Sequence, residues 1–340
     1  MVDFTAPRSP GSAHDYYSEG DYWWSDPANP GGPYIRRDGF SNPAKFDAHR
    51  LALIRMSRIV PGLVAAWLAT GQRRYADAAQ RHLDAWFVDP ARRMNPSLPY
   101  AQAIIGVNTG RGIGIIDTLH LVETARAVMV LGEPGRQRFR LRNEAAIKGW
   151  FSDYLGWLTS SANGRAERDE VNNHGSAWVL QAAQFAVLTG DEKTADWCRY
   201  RYKSALLPNQ IAPDGSQPLE LVRTKPYAYC LFNLDVLGTT AHLLSRPGDN
   251  LWQFTTPDGR SLARALNFMA PFIADKSRWP YPADVEAFAG YPVRHPALLF
   301  GGLALKAPAL LKIWRGLHPD PQLPEVIRNF PIRQPLLWTS

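Results

Sequence analysis

The sequence predicts an all-α chain: a single (α/α) toroid or barrel of about six to seven helical hairpins, entered through an irregular N-terminal arm. Three observations carry this. From residue 44 onward the apolar period is helical almost throughout, and alternating β-type runs are scarce. A short repeat recurs, with Thr70-Gly71 followed by Ala76-Asp77 and Thr189-Gly190 followed by Ala195-Asp196. Each copy sits between an apolar helix and a more amphipathic one, and Leu131-Gly132 marks a similar corner. Hairpins recurring every ~45–65 residues build a closed ring or an open α-solenoid. The connections over 88–110, 207–226 and 276–295 are long for a solenoid, which favours the ring.

In chain order, residues 1–43 form the arm, rich in Pro, Gly and aromatic rings and lacking a helical period. Residues 44–340 form the toroid. Helices are expected over 51–69, with a kink at Pro61, and over 75–87. Further helices are expected over 113–131, 137–160, 173–188, 192–206, 227–245, 260–274 and 297–316. Long loops on such a scaffold are where function usually sits.

A chain of 340 residues, 45% hydrophobic and 11% aromatic, can bury a large core and is not disordered. Its 12 Trp and 13 Tyr suit surfaces that stack flat ligands, sugar rings included. The net charge of +7 favours a polyanionic partner. No run of five Lys/Arg and no nucleic-acid-binding motif is present. Most of the basic residues are Arg, whose fork matches planar carboxylates, so a carboxylated polymer fits at least as well as nucleic acid. Cys198 and Cys230 read as free, buried thiols. No apolar segment of membrane-spanning length is registered, and the first residues lack a signal-peptide pattern. The protein is therefore expected to be cytoplasmic, or periplasmic or secreted if a leader precedes this sequence.

Three stretches stand out chemically. Glu170-Val171-Asn172-Asn173-His174-Gly175-Ser176-Ala177-Trp178 puts two carboxamides and an imidazole where a loop hands over to a helix. Asn caps helices, and the dipole and N–H groups of a helix start attract anions. In Leu219-Glu220-Leu221-Val222-Arg223-Thr224-Lys225-Pro226-Tyr227-Ala228-Tyr229, Pro226 suits a first helical position. Arg223 then lies on the loop, and Tyr229 in the first turns of the next helix. In Val107-Asn108-Thr109-Gly110-Arg111-Gly112-Ile113-Gly114 the glycines follow no strand pattern and match no nucleotide-binding loop. This loop is read as presenting Asn108 and Arg111 to a ligand. The eight histidines are scattered and form no metal-binding motif, so no metal site is expected.

Asn173-His174 at a helix start, with Arg223 followed six residues later by Tyr229, resembles the alginate lyase superfamily of α/α-toroid fold. Tyr34-Ile35-Arg36-Arg37-Asp38-Gly39, the Asn95–Ala103 stretch and the Asn108–Thr118 stretch look most like polysaccharide lyase family 38. The resemblance covers about residues 15–335. It implies β-elimination on a polyuronate such as alginate or glucuronan, with no cofactor, and with Asn173, His174, Arg223 and Tyr229 as catalytic residues. In related alginate lyases the matching Arg and Tyr stand one residue further apart, so Tyr227 is an alternative to Tyr229.

The chemistry independently suits these residue types. A proton alpha to an ionised carboxylate is hard to remove unless that group is hydrogen-bonded and its developing charge stabilised, which Asn173, His174 and Arg223 can do. A base then takes the proton and an acid protonates the leaving 4-oxygen. In mannuronate and glucuronate both positions share one ring face, so Tyr229 alone serves, given a nearby cation to favour its phenolate. In guluronate the positions lie on opposite faces, and His174 becomes the second partner. Arg36, Arg37, Arg111 and Arg294 are expected at neighbouring carboxylates, and Trp178, Tyr34, Trp23 and Trp24 against sugar rings. The expected partner is thus an acidic polysaccharide, without nucleic acid or membrane. The rival readings are an α/α-barrel glycoside hydrolase, drawing two carboxylates from Asp38, Asp117, Glu123, Asp169, Glu170 and Glu220, and a non-catalytic binder of acidic polysaccharide.

Overall fold

The computed structural model describes residues 1–133 and 139–339. In chain order its helices are α1 Ala48–Thr70, α2 Arg73–Phe87, α3 Leu121–Gly132, α4 Glu144–Ser160, α5 Ala162–Arg168, α6 Asn173–Thr189, α7 Glu192–Arg201 and α8 Leu207–Gln210. They continue as α9 Pro218–Leu221, α10 Pro226–Leu244, α11 Leu262–Ala274, α12 Pro296–Ala304, α13 Pro308–Gly316, α14 Pro324–Arg328 and α15 Leu336–Thr339. Among the described residues the only strands are short pairs. β1 Tyr17–Glu19 runs parallel to β4 Tyr100–Ala103, and β2 Trp23–Trp24 antiparallel to β3 Ile35–Arg36.

The chain divides into two compact units. The first comprises Met1–Glu167, Gln184–Asp191 and the chain from Gln334 onward; the second comprises Arg168–Ala183 and Glu192–Arg333.

In the first unit α1 packs against α2 and α3. It is also long and apolar enough, by length and composition, to cross a membrane, which corrects the expectation that no segment qualifies. Its apolar character matches its role as a core helix, since Leu53, Met56, Val60, Val64 and Trp67 are all buried. The arm is stitched to this unit. Glu19 accepts the Phe46 N–H at 2.9 Å, and the Asp21 carboxylate pairs with the buried Arg50 guanidinium through contacts of 2.6 and 2.7 Å. The Thr-Gly repeat has a common physical basis. Gly71 and Gly190 adopt φ of +68° and +77°, and the preceding Thr70 and Thr189 hydroxyls donate to carbonyls four residues back. Both copies are left-handed helix stops. Gly132 is not among the positive-φ glycines and simply ends α3, so the third corner is of another kind.

Several predicted helices are divided. The 113–131 segment opens with a 3-10 turn over Gly112–Thr118, where a Cβ on Gly114 would lie 2.5 Å from the Ala101 backbone. The 137–160 helix begins at Glu144; positions 137 and 138 lie outside the described residues. The 192–206 segment turns π-helical over Tyr202–Leu206. The 297–316 segment breaks between α12 and α13, where Lys306 takes φ +52° and Pro308 restarts the helix. In the second unit α10, buried along most of its length, packs against α9, α11 and α12.

Candidate active site

Glu220 organises the candidate site in the second unit. It lies at the end of α9, 1% exposed, and both of its carboxylate oxygens meet Asn173. Oε1 accepts the Asn173 backbone N–H at 2.8 Å, and Oε2 accepts from Asn173 Nδ2 at 2.7 Å. Asn172 Oδ1 accepts the next backbone N–H, that of His174, at 3.1 Å. Carboxylates are favoured at helix starts by the dipole and the unpaired N–H groups. The anion expected at the head of α6 is therefore supplied by the protein itself. Burial pushes the Glu220 carboxyl above its ordinary value, opposed by both Asn173 donors and by the charges of Arg223 and His174.

Arg223 follows on the loop after α9, with its guanidinium 4.5 Å from the centre of the Tyr229 ring. Tyr229 is 8% exposed and stands in the first turn of α10, its N–H donating to the Lys225 carbonyl at 3.0 Å. Two features fix this helix start. The buried Lys225 ammonium lies 3.0 Å from Glu286 and 2.8 Å from Glu325. The Asp284 carboxylate accepts the Tyr227 and Ala228 N–H groups at 2.8 and 2.9 Å. Burial raises the Asp284 carboxyl to about 6, against those two bonds and the charges of Lys225 and Lys276.

Tyr227, the alternative phenol, is engaged elsewhere. Its ring is fully buried against Trp279 and Phe288, its hydroxyl donates to the Phe272 carbonyl at 3.0 Å, and burial raises it far above the ordinary phenol range. Beneath the site runs a buried layer of amides. Gln210 Nε2 donates to the Asn172 carbonyl at 3.0 Å, and Gln210 Oε1 accepts from Ser176 at 2.8 Å and Asn233 at 2.9 Å. Asn233 also donates to Gln217 at 2.9 Å, so α6 and α10 share one hydrogen-bonded layer.

One predicted ligand contact in this unit is corrected. Trp178 is 1% exposed and packs edge-on against Trp197 at 5.7 Å, so its ring offers no face to a sugar. Arg294 donates to the Leu317 and Arg315 carbonyls at 3.0 and 3.1 Å and covers Trp314, so its guanidinium ties down local backbone.

The other predicted binding residues belong to the first unit. Arg111 donates to the Gln102 carbonyl and side-chain oxygen at 3.1 and 3.0 Å, and lies 5.7 Å from the Trp23 ring centre. Burial lowers its pKa, partly offset by Asp117. Gln102 takes the unusual φ of +50° and donates to Asp117 at 2.9 Å, so a buried carboxylate holds the residue that holds Arg111. Neither Gln102 nor the amide layer carries a spacing signal in the sequence; Glu220 does, as a carboxylate just ahead of the Arg223 loop. Asn108 Oδ1 closes its own loop by accepting the Ile104 N–H at 3.2 Å. Arg36 is exposed and paired with Asp38 at 2.6 Å, Arg37 lies 5.2 Å from the Trp24 ring centre, and Tyr34 is half-buried. Among the described residues no group of three or more His, Cys, Asp or Glu side chains is placed to hold a metal ion.

The alginate lyase family model matches residues 3–279. The chain belongs to the alginate lyase family. The solved structure of an alginate lyase from Bacteroides ovatus is 32% identical, with 99% of this chain and 86% of that one aligned at a TM-score of 0.82. Alginate lyase A1-III from Sphingomonas species A1 is 17% identical, covering 100% of this chain and 87% of that one at a TM-score of 0.62. A variant of A1-III complexed with a tetrasaccharide, also 17% identical, covers 100% and 86% at a TM-score of 0.65. A search of curated proteins returns no match. This family member is a polysaccharide lyase of the all-α, α/α-toroid class.

Proposed function

We propose that this lyase cleaves a polyuronate by β-elimination, with Asn173, His174 and Arg223 gripping the uronate carboxylate and Tyr229 moving the proton. The observation that carries the reading is the Arg223 guanidinium lying 4.5 Å from the Tyr229 ring centre. The same arginine and His174 bear electrostatically on the carboxylate that holds Asn173. A cation against a phenol favours its ionised form, the form that acts as a base. The Tyr229 phenolate takes the proton on C5. The C–H electrons form the C4–C5 double bond, the C4–O bond breaks, and the phenol returns its proton to the departing oxygen. Charge building on the carboxylate meets the Asn173 and Arg223 donors, where it is stabilised most.

One residue serving as base and then acid requires the C5 proton and the leaving oxygen on one face, which fits mannuronate or glucuronate. His174 is the second partner if guluronate is cleaved. Of the carboxylates named for the hydrolytic alternative, Glu220, Asp117 and Glu123 are buried and hydrogen-bonded, and Asp38 and Asp169 are paired with Arg36 and Arg168.

The test is incubation with polymannuronate, polyguluronate and glucuronan, following ultraviolet absorbance and product mass. Unsaturated ends without addition of water are expected, on polymannuronate or glucuronan first. A hydrated, non-absorbing product would refute elimination, and no cleavage of any polyuronate would leave only binding.

A further inference from the structure

We propose that Glu220 is a positioning residue for the elimination, acting through Asn173: its carboxylate fixes the Asn173 carboxamide in the one orientation that serves the uronate. The inference rests on the role given to Asn173 under the proposed function. A carboxamide has two nearly isosteric orientations, and what surrounds it decides between them. Here the carboxylate takes two of the three N–H hydrogens of one residue, through the backbone N–H at 2.8 Å and Nδ2 at 2.7 Å. Turning the carboxamide over would set its oxygen against Oε2 at hydrogen-bond distance, two acceptors with no proton between them. The native orientation leaves the second Nδ2 hydrogen as the donor for a ligand.

Glu220 also joins the two halves of the site. The Arg223 N–H donates to the Glu220 carbonyl at 3.1 Å, so one residue closes the turn bearing Arg223 while its side chain grips the head of α6. A carboxylate held 1% exposed is costly to bury unless its hydrogen bonds are made, and both of its oxygens are satisfied by Asn173.

The test is a double-mutant cycle on the whole enzyme with Glu220→Gln, Asn173→Ala and the pair, reading kcat, KM and thermal unfolding on the polyuronate it cleaves best. In Glu220→Gln the new amide oxygen must accept the Asn173 backbone N–H. Its NH2 then faces the carboxamide and turns it over. Losing one preorganised donor costs roughly 10²–10³-fold in kcat, so a fall of about 10²-fold is expected, with KM within about five-fold. The two effects should not multiply, and the double variant should be no slower than Asn173→Ala alone. Normal turnover in Glu220→Gln beside a slow Asn173→Ala overturns the role of Glu220 and leaves the proposed function intact. Multiplying effects also overturn it, because Glu220 would then act independently of Asn173. A fully active Asn173→Ala overturns both. If Glu220→Gln fails to fold, Asn173→Asp combined with it restores a donor–acceptor pair. Recovery of folding with kcat still low supports the pairing, and failure to recover overturns it.

Discussion

Asp284 is the carboxylate on which the Tyr229 helix begins, and asparagine there removes its titration along with one of its two acceptor oxygens, a loss that does not vary with pH. Its oxygens accept two N–H groups, from Tyr227 at 2.8 Å and Ala228 at 2.9 Å. Burial nevertheless raises the carboxyl from 3.8 to about 6. A carboxyl raised on folding contributes its stabilisation in full below the unfolded value, and loses it as pH climbs through the folded one. Between pH 5 and 8 the wild-type protein should therefore lose stability at this site, while Asp284→Asn, which does not titrate, should not. The linkage amounts to about 1.4 kcal/mol over that window, reduced to roughly 1 kcal/mol by partial solvent screening. Thermal unfolding of both proteins at pH 5 and pH 8 reads it directly. The wild type should lose roughly 2 °C relative to the variant on going from pH 5 to pH 8. A difference that stays constant, or that moves toward the wild type at pH 8, would refute the argument.

Three further substitutions probe the site's frame. In Gly175→Ala a Cβ would sit 2.1 Å from the Glu170 carbonyl oxygen, so the loop into Asn172-Asn173 must move. A loss of about 1–3 kcal/mol is expected, with a larger proportional fall in kcat, measured by unfolding and turnover together. Arg223→Lys keeps the charge and loses the flat guanidinium against Tyr229. Steady-state kinetics should show kcat/KM down roughly 10–100-fold with an unchanged melting temperature. Lys225→Met removes the buried cation between Glu286 and Glu325. Breaking such a group by removing one partner should destabilise the protein by about 3–5 kcal/mol, read by denaturant unfolding.

The helices were legible because apolar residues recur at helical spacing, and the Thr-Gly stops because a left-handed residue strongly favours glycine. Asn173, His174, Arg223 and Tyr229 were legible as short motifs bracketing two helix starts. Their mutual arrangement was not. The bond from Glu220 to Asn173 spans 47 positions, and that from Asp284 to Tyr227 spans 57, with no periodicity linking either pair. Trp178 was misread because an aromatic ring on the face of a polar motif looks the same in sequence whether it faces solvent or Trp197. The bonds of Arg294 to the Leu317 and Arg315 carbonyls were not legible either, since backbone carbonyls attract a guanidinium as a carboxylate does. The split of the 297–316 helix was readable at Pro308, whereas the left-handed Lys306 was not.

The central claim is that Tyr229 moves the proton while its neighbours hold the carboxylate. Tyr229→Phe, assayed for unsaturated product and, separately, for binding of the intact polyuronate, tests it most directly. Loss of a group acting as both base and acid should lower kcat by about 10⁴-fold or more, with binding within a few-fold of wild type. Near-normal turnover in that variant would contradict the account.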